Sequence, residues 1–225
     1  MKKIKVMTLS MCLLAIFSCQ TKQGTGALIG TGGGAVLGAI IGKIAGNTAV
    51  GAAIGGAVGA GAGAIIGRHM DKVAAEAAAQ VQNAKVEEVT DANGLKAVKV
   101  TFDSGILFAT NKADLNQTSK SELAKFSTVL KNNQNCLVDI YGHTDSTGND
   151  GINIPLSNQR AQSVVNYLQS CGVPASQFQN IVGKGSSEPV ADNSTAAGKQ
   201  QNRRVEVFLY ASQAMVDAAN NGTLQ

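Results

Sequence analysis

Histidine is scarce in this chain of 225 residues: only His69 and His143 occur, and no pair of cysteines stands at metal-ligand spacing. Zinc sites need three or four nitrogen, sulfur or carboxylate ligands, so no metal is expected. Excess charge is missing too. Lys2, Lys3 and Lys5 belong to an N-terminal leader, and without them 19 − 3 = 16 basic residues face 15 acidic ones, a balance of +1. Such neutrality gives no nucleic-acid footprint. No paired-carboxylate, Ser/Lys or zinc constellation stands out, and His143 beside Asp145 is not a triad, which needs base, orienter and nucleophile in mutual contact. Gly30-x-Gly32-x-x-Ala35 follows no strand, and Gly42-Lys43 lacks the rest of a phosphate loop, so no cofactor is expected either.

What is present begins with a targeting segment, residues 1–18: three lysines, an apolar run from Val6 to Phe17, then Ser18 before Cys19. Ile16-Phe17-Ser18-Cys19 resembles a bacterial lipobox, with Phe17 larger than usual. The resemblance implies that the leader is removed and that Cys19 carries acyl chains, two or more of which give stable anchoring in outer-membrane lipid. An ordinary signal peptide is the alternative. With Cys12 inside the leader, Cys136 and Cys171 remain for the folded part. In an exported protein they suggest one disulfide, the other reading being two buried thiols.

Residues 19–67 are a tether followed by a glycine repeat. Gly30, Gly34, Gly38, Gly42 and Gly46 fall four apart, and after Asn47-Thr48-Ala49-Val50 the spacing resumes at Gly51, Gly55, Gly59, Gly63 and Gly67. Each glycine costs a helix about 1 kcal/mol against alanine, so only close backbone packing makes helices of such arms. Four-residue spacing lines one face with glycine and permits that approach. A helical hairpin turning at 47–49 is expected, able to support a homo-oligomer; a flexible linker is the alternative. The pattern resembles the glycine-zipper segments of outer-membrane lipoproteins. Residues 68–85, with a weak stripe of Val73, Ala77, Val81 and Ala84 and with Lys72 facing Glu76, read as a helical linker.

Residues 86–210 alternate strands and helices. Val86–Thr90 and Ala97–Phe102 flank an Asn93-Gly94 turn as a hairpin, Ser119–Leu130 and Leu156–Leu168 suit helices, and Leu137–Tyr141, Phe178–Val182 and Arg204–Tyr210 suit strands. An α+β sandwich is expected, one sheet with two helices on one side, and residues 211–225 read as a tail. Asp145 stands just past a strand and Arg160 lies in the following helix, so both reach the same end of the sheet. A carboxylate and a guanidinium side by side make a receptor for a zwitterion.

Gly142-His143-Thr144-Asp145, Asn153, Leu156-Ser157, Arg160-Ala161, Gly183-Lys184-Gly185-Ser186 with Pro189, and Asn202-Arg203-Arg204-Val205 together resemble the C-terminal peptidoglycan-associating domain of OmpA-like proteins. The resemblance implies a β-α-β-α-β-β fold and binding of the diaminopimelate of the wall's stem peptide. It carries the ligand-binding aspartate onto Asp145 and the arginine onto Arg160, with Thr144, Asn153 and Arg203 shaping the pocket. Lys184 stands where that family often has an aromatic. One of Arg203 and Arg204 is expected on the surface, and His143 is expected to pack the loop. The expected function is a non-catalytic tether between outer membrane and peptidoglycan, with the domain facing the periplasm. The alternatives are a structural Asp145–Arg160 pair without ligand, a wall-cleaving enzyme, or an oligomerising glycine hairpin that the wall domain merely positions.

Overall fold

The computed structural model describes residues 58–109 and 111–224. Cys19, the leader and most of the glycine repeat therefore lie outside the described residues.

A five-stranded mixed sheet runs in the order β1-β2-β5-β3-β4. β1 (Ala84–Thr90) and β2 (Lys96–Asp103) form the expected hairpin. Its turn works because Gly94 takes φ +78° while the Asp91 carboxylate accepts hydrogen bonds from the Asn93 and Leu95 amides at 2.8 and 2.9 Å. β5 (Arg204–Ala211) lies antiparallel between β2 and β3 (Cys136–Gly142), and β3 runs parallel to the edge strand β4 (Phe178–Gly183). Apart from the short helices Ser104–Leu107 and Ala196–Asn202, the order from β2 onward is β-α-β-α-β-β, the fold expected from the motifs.

Alternation along the strands divides two faces. Val205, Val207, Leu209 and Ala211 of β5 join Val98, Val100 and Phe102 of β2 in the main core under the helices. Phe208 and Tyr210 point the other way, into a smaller cluster with Tyr141, Ala97 and Val89. Near it the buried Asp139 carboxylate accepts the hydroxyls of Tyr141 and Tyr210, at 3.1 and 3.0 Å.

More helix covers the sheet than the sequence suggests. α1 (Ala60–Gln80) starts inside the glycine repeat and packs on β2 and on α3 (Gln117–Asn132). Ile66, Met70, Val73 and Ala77 are fully buried along it, so residues 68–85 are no free linker. Burying Ile, Met and Val at about 1.5–3 kcal/mol each makes this helix a structural part of the domain. Glu76 does not pair with Lys72. It accepts hydrogen bonds from the side chains of Asn132 and Asn133 at 2.7 and 2.9 Å, fastening α1 to the end of α3. The tail is likewise not loose: α5 (Gln213–Asn220) packs on α1 and buries Met215 and Val216.

The disulfide expectation is overturned, since Cys136 and Cys171 are both free. The Cys136 thiol points into the core 3.9 Å from the Met70 sulfur, and burial pushes it up to about 12. Cys171 instead caps the helix preceding β4, where its carbonyl accepts the Lys131 ammonium at 3.0 Å.

Candidate ligand-binding site

That helix, α4 (Asp150–Ser170), begins six residues before the expected Leu156 and carries Pro155 inside its second turn instead of at its start. Two glycines let it lie directly on the strand ends. A Cβ on Gly142 would sit 2.2 Å from the Ser157 carbonyl oxygen, and one on Gly183 would sit 2.2 Å from the Asn158 nitrogen. The gap is closed by hydrogen bonds from the Gly183 amide to Asn158 Oδ1 (2.6 Å) and from the Gly185 amide to Ser157 Oγ (2.9 Å). Arg160, three residues beyond Ser157, is thereby fixed beside the loop that leaves β3.

A cavity of about 390 Å³ opens there, within the size range of small-molecule sites. Asp145, Arg160, Thr144, Asn153 and Arg203 all line it, together with Ser104 and Phe108. The five residues singled out from the sequence therefore meet at one place, but their partnerships differ from a simple Asp145–Arg160 clasp.

Asp145 pairs with Arg203, whose Nη1 lies 2.6 Å from Oδ2, while Oδ1 accepts the Thr147 amide at 2.8 Å. Burial opposes ionisation of Asp145, yet Arg203 and the Thr147 bonds outweigh it and hold its carboxyl below the usual range. Arg160 is only 4% exposed. Its Nε donates to the Lys112 carbonyl at 3.1 Å and its guanidinium stacks 5.2 Å from the Phe108 ring centre. Burial and the nearby Arg203 charge lower its pKa and Asp145 raises it, but a guanidinium stays charged in any case. No carboxylate pairs with it among the described residues. The site thus holds one acid and two bases.

Asn153 lines the cavity mainly as a brace, its amide donating to the carbonyls of Asp145 (3.4 Å) and Thr147 (3.1 Å). The hydroxyls of Thr144 and Ser104 are buried without a partner. Ser104 went unnoticed in the sequence because it belongs to α2 (Ser104–Leu107), a single turn after β2 with no periodic signal.

The two neighbouring arginines differ: the Arg203 side chain stays partly exposed at the cavity, as expected of one of them, while Arg204 is buried. Arg204 lies on the sheet's other face, 3% exposed, with Nε 2.8 Å from Glu206 Oε1. His143 stands in the same cluster, Nε2 3.6 Å from Glu206 Oε2, and so packs beneath the loop and not against Asp145. Burial opposes the charge on Glu206, but His143 and Arg204 beside it win and hold it near pKa 2. Burial, with the Arg204 charge, keeps His143 below its ordinary value despite Glu206. Lys184 lies 5.3 Å from the Tyr141 ring centre and 3.3 Å from Glu188. Among the described residues no cluster of metal-ligating side chains occurs, and no helix is long and apolar enough to cross a membrane.

Comparison with known proteins agrees with the fold. Residues 107–203 match the OmpA family and residues 1–71 match the YMGG-like Gly-zipper. The outer-membrane lipoprotein YfiB of Pseudomonas aeruginosa is 40% identical over 110 residues, 49% of this chain and 65% of that protein. The peptidoglycan-binding protein ArfA of Mycobacterium tuberculosis is 40% identical over 113 residues, 50% of this chain but 34% of its own length. This chain therefore spans less than two thirds of either relative. Among solved structures, the cell wall anchor of the T6SS from Pseudomonas aeruginosa superposes with a TM-score of 0.52 at 27% identity, covering 64% of this chain and 97% of that one. The chain thus resembles the OmpA family over residues 107–203 and a glycine zipper over residues 1–71.

Proposed function

We propose that this glycine-zipper chain with its OmpA-family domain is a non-catalytic tether, anchored in the outer membrane through lipid on Cys19 and gripping peptidoglycan through the diaminopimelate of the stem peptide. The chain localises to the outer membrane, with its OmpA-like domain in the periplasm where the wall lies. The observation that carries the ligand reading is Arg160: a guanidinium 4% exposed, with no acidic partner among the described residues, on the wall of a cavity it shares with Asp145. A buried charge left unpaired is costly. A ligand carboxylate removes that cost by forking onto Arg160, while the ligand's ammonium meets Asp145, whose pairing with Arg203 leaves lone pairs to accept it. Thr144 and Ser104 offer hydroxyls to the same amino-acid end. Lipid anchoring then keeps the pocket at high local concentration near the wall, so modest affinity suffices.

Co-sedimentation with purified sacculi tests this. A charge-assisted hydrogen bond is worth about 1.5–3 kcal/mol, so Asp145→Asn and Arg160→Ala proteins with parental circular dichroism are expected to bind more than tenfold more weakly. Arg160→Lys keeps the charge but loses the fork and is expected to recover only part of the binding. Parental sedimentation of both loss variants would remove the assignment.

A further inference from the structure

Helix α1 has a second face that the domain does not use. Asp71 is engaged by the Lys96 ammonium of β2, and Glu76 is held by Asn132 and Asn133 of α3, so both of its acids are tied to the domain. Its two strong cations, Arg68 and Lys72, are exposed and have no acidic partner among the described residues. With Ile65 and His69 they fall at i, i+3, i+4 and i+7, one stripe of the helix. These four residues and Leu224 line a cleft of about 250 Å³ that contains no acidic side chain. Both ring nitrogens of His69 are shut off from solvent there and have no hydrogen-bond partner. A ring N–H left unmet costs free energy that an anionic ligand in the cleft would return.

The position of the cleft in the chain selects the anion. The four-residue glycine repeat, Gly51, Gly55, Gly59, Gly63 and Gly67, runs on into α1 and ends one residue before Arg68. Arg68 and Lys72 are thus the first strong cations after an almost uncharged apolar stretch. Basic residues at such a border are attracted to anionic lipid, at about fivefold in affinity per residue. We infer that the cleft formed by Ile65, Arg68, His69, Lys72 and Leu224 binds the phosphate headgroup of an anionic lipid, seating the first helix of the domain on the membrane surface. Arg68 and Lys72 take the phosphate oxygens, His69 donates a ring N–H to them, and Ile65 and Leu224 cover the glycerol carbons. The cations and His69 lie on α1, away from the cavity on α4, so this site does not depend on wall binding.

The chain has two histidines, which makes imidazole resonances a direct probe. Full-length histidine-labelled protein is placed in phosphatidylcholine nanodiscs, and phosphatidylglycerol is raised stepwise at fixed pH, with His69→Gln assigning the signals. The expected result is a saturable shift of His69 with His143 unmoved, and a roughly thirtyfold weaker response in Arg68→Ala/Lys72→Ala. Inorganic phosphate added to phosphatidylcholine discs is expected to leave His69 in place. The inference is overturned if His69 ignores phosphatidylglycerol, if the double variant responds like the parent, or if inorganic phosphate alone gives the full shift. Sacculus binding by the double variant is expected to be parental, which separates failure here from failure of the wall-binding reading.

Discussion

Arg203 and Arg204 are neighbours in sequence and opposites in the fold. Arg203 turns to the cavity and pairs with Asp145 while its side chain stays 38% exposed; Arg204 turns to the far face and is sealed with Glu206 and His143. Both make a short bond to a carboxylate, at 2.6 and 2.8 Å. Burial, not bond length, decides what each pair does. A pair open to solvent contributes little to stability and can yield its partner to a ligand, whereas a sealed pair cannot be halved without leaving a charge stranded.

The largest expected effect follows from halving the sealed pair. Arg204→Ala leaves Glu206 buried beside His143 alone, and should cost about 3–5 kcal/mol in urea unfolding; a loss below 1 kcal/mol would erase the contrast with Arg203. Acid should act on the same pair from the other side. Glu206 lies near 2 in the fold against an ordinary 4.5, so its contribution is complete above about pH 4.5 and is lost as pH falls toward 2. His143, also lowered, contributes in the same direction: its share is present above its ordinary 6.5 and declines as pH falls below that. A stability profile from pH 7 to 2 should therefore fall in two stages, and Glu206→Gln should flatten the lower one. Next in size is Gly142→Ala, at the end of β3 opposite Val205, where a Cβ would strike the Ser157 carbonyl at 2.2 Å. Overpacking of this kind costs about 1–3 kcal/mol, and because it pushes α4 away it should weaken sacculus binding as well. Smallest in stability is Arg203→Ala, about 0–1 kcal/mol by thermal melt, with a binding loss near tenfold as the Asp145 carboxylate loses its orientation.

The placement of acid and base is legible in the sequence where chemistry and chain position coincide. A strand ending in Gly142-His143-Thr144-Asp145 and a helix bearing Arg160 had to bring acid and base to one end of the sheet, and both do line one cavity. Asp145's actual partner was harder to see: Arg203 lies 58 residues away, and nothing local tells which of two adjacent arginines takes which face until β5 is in register. α1 misled for a different reason. Half of its buried stripe is alanine (Ala62, Ala74 and Ala77), which weakens the apolar signal, and its glycines suit a membrane segment equally well; only the spacing of Ile66, Met70 and Val73 hints at a core face. Cysteine count carried no information on direction, so Cys136 facing Met70 was invisible.

Calorimetric titration of the full chain in non-ionic detergent with meso-diaminopimelate bears most directly on the cavity. Saturable binding is expected, lost when the amino-acid carboxylate is amidated because Arg160 then has nothing to fork onto, and weakened more than tenfold in Asp145→Asn. Equal heats from the free acid and its amide, or none from either, would contradict the account.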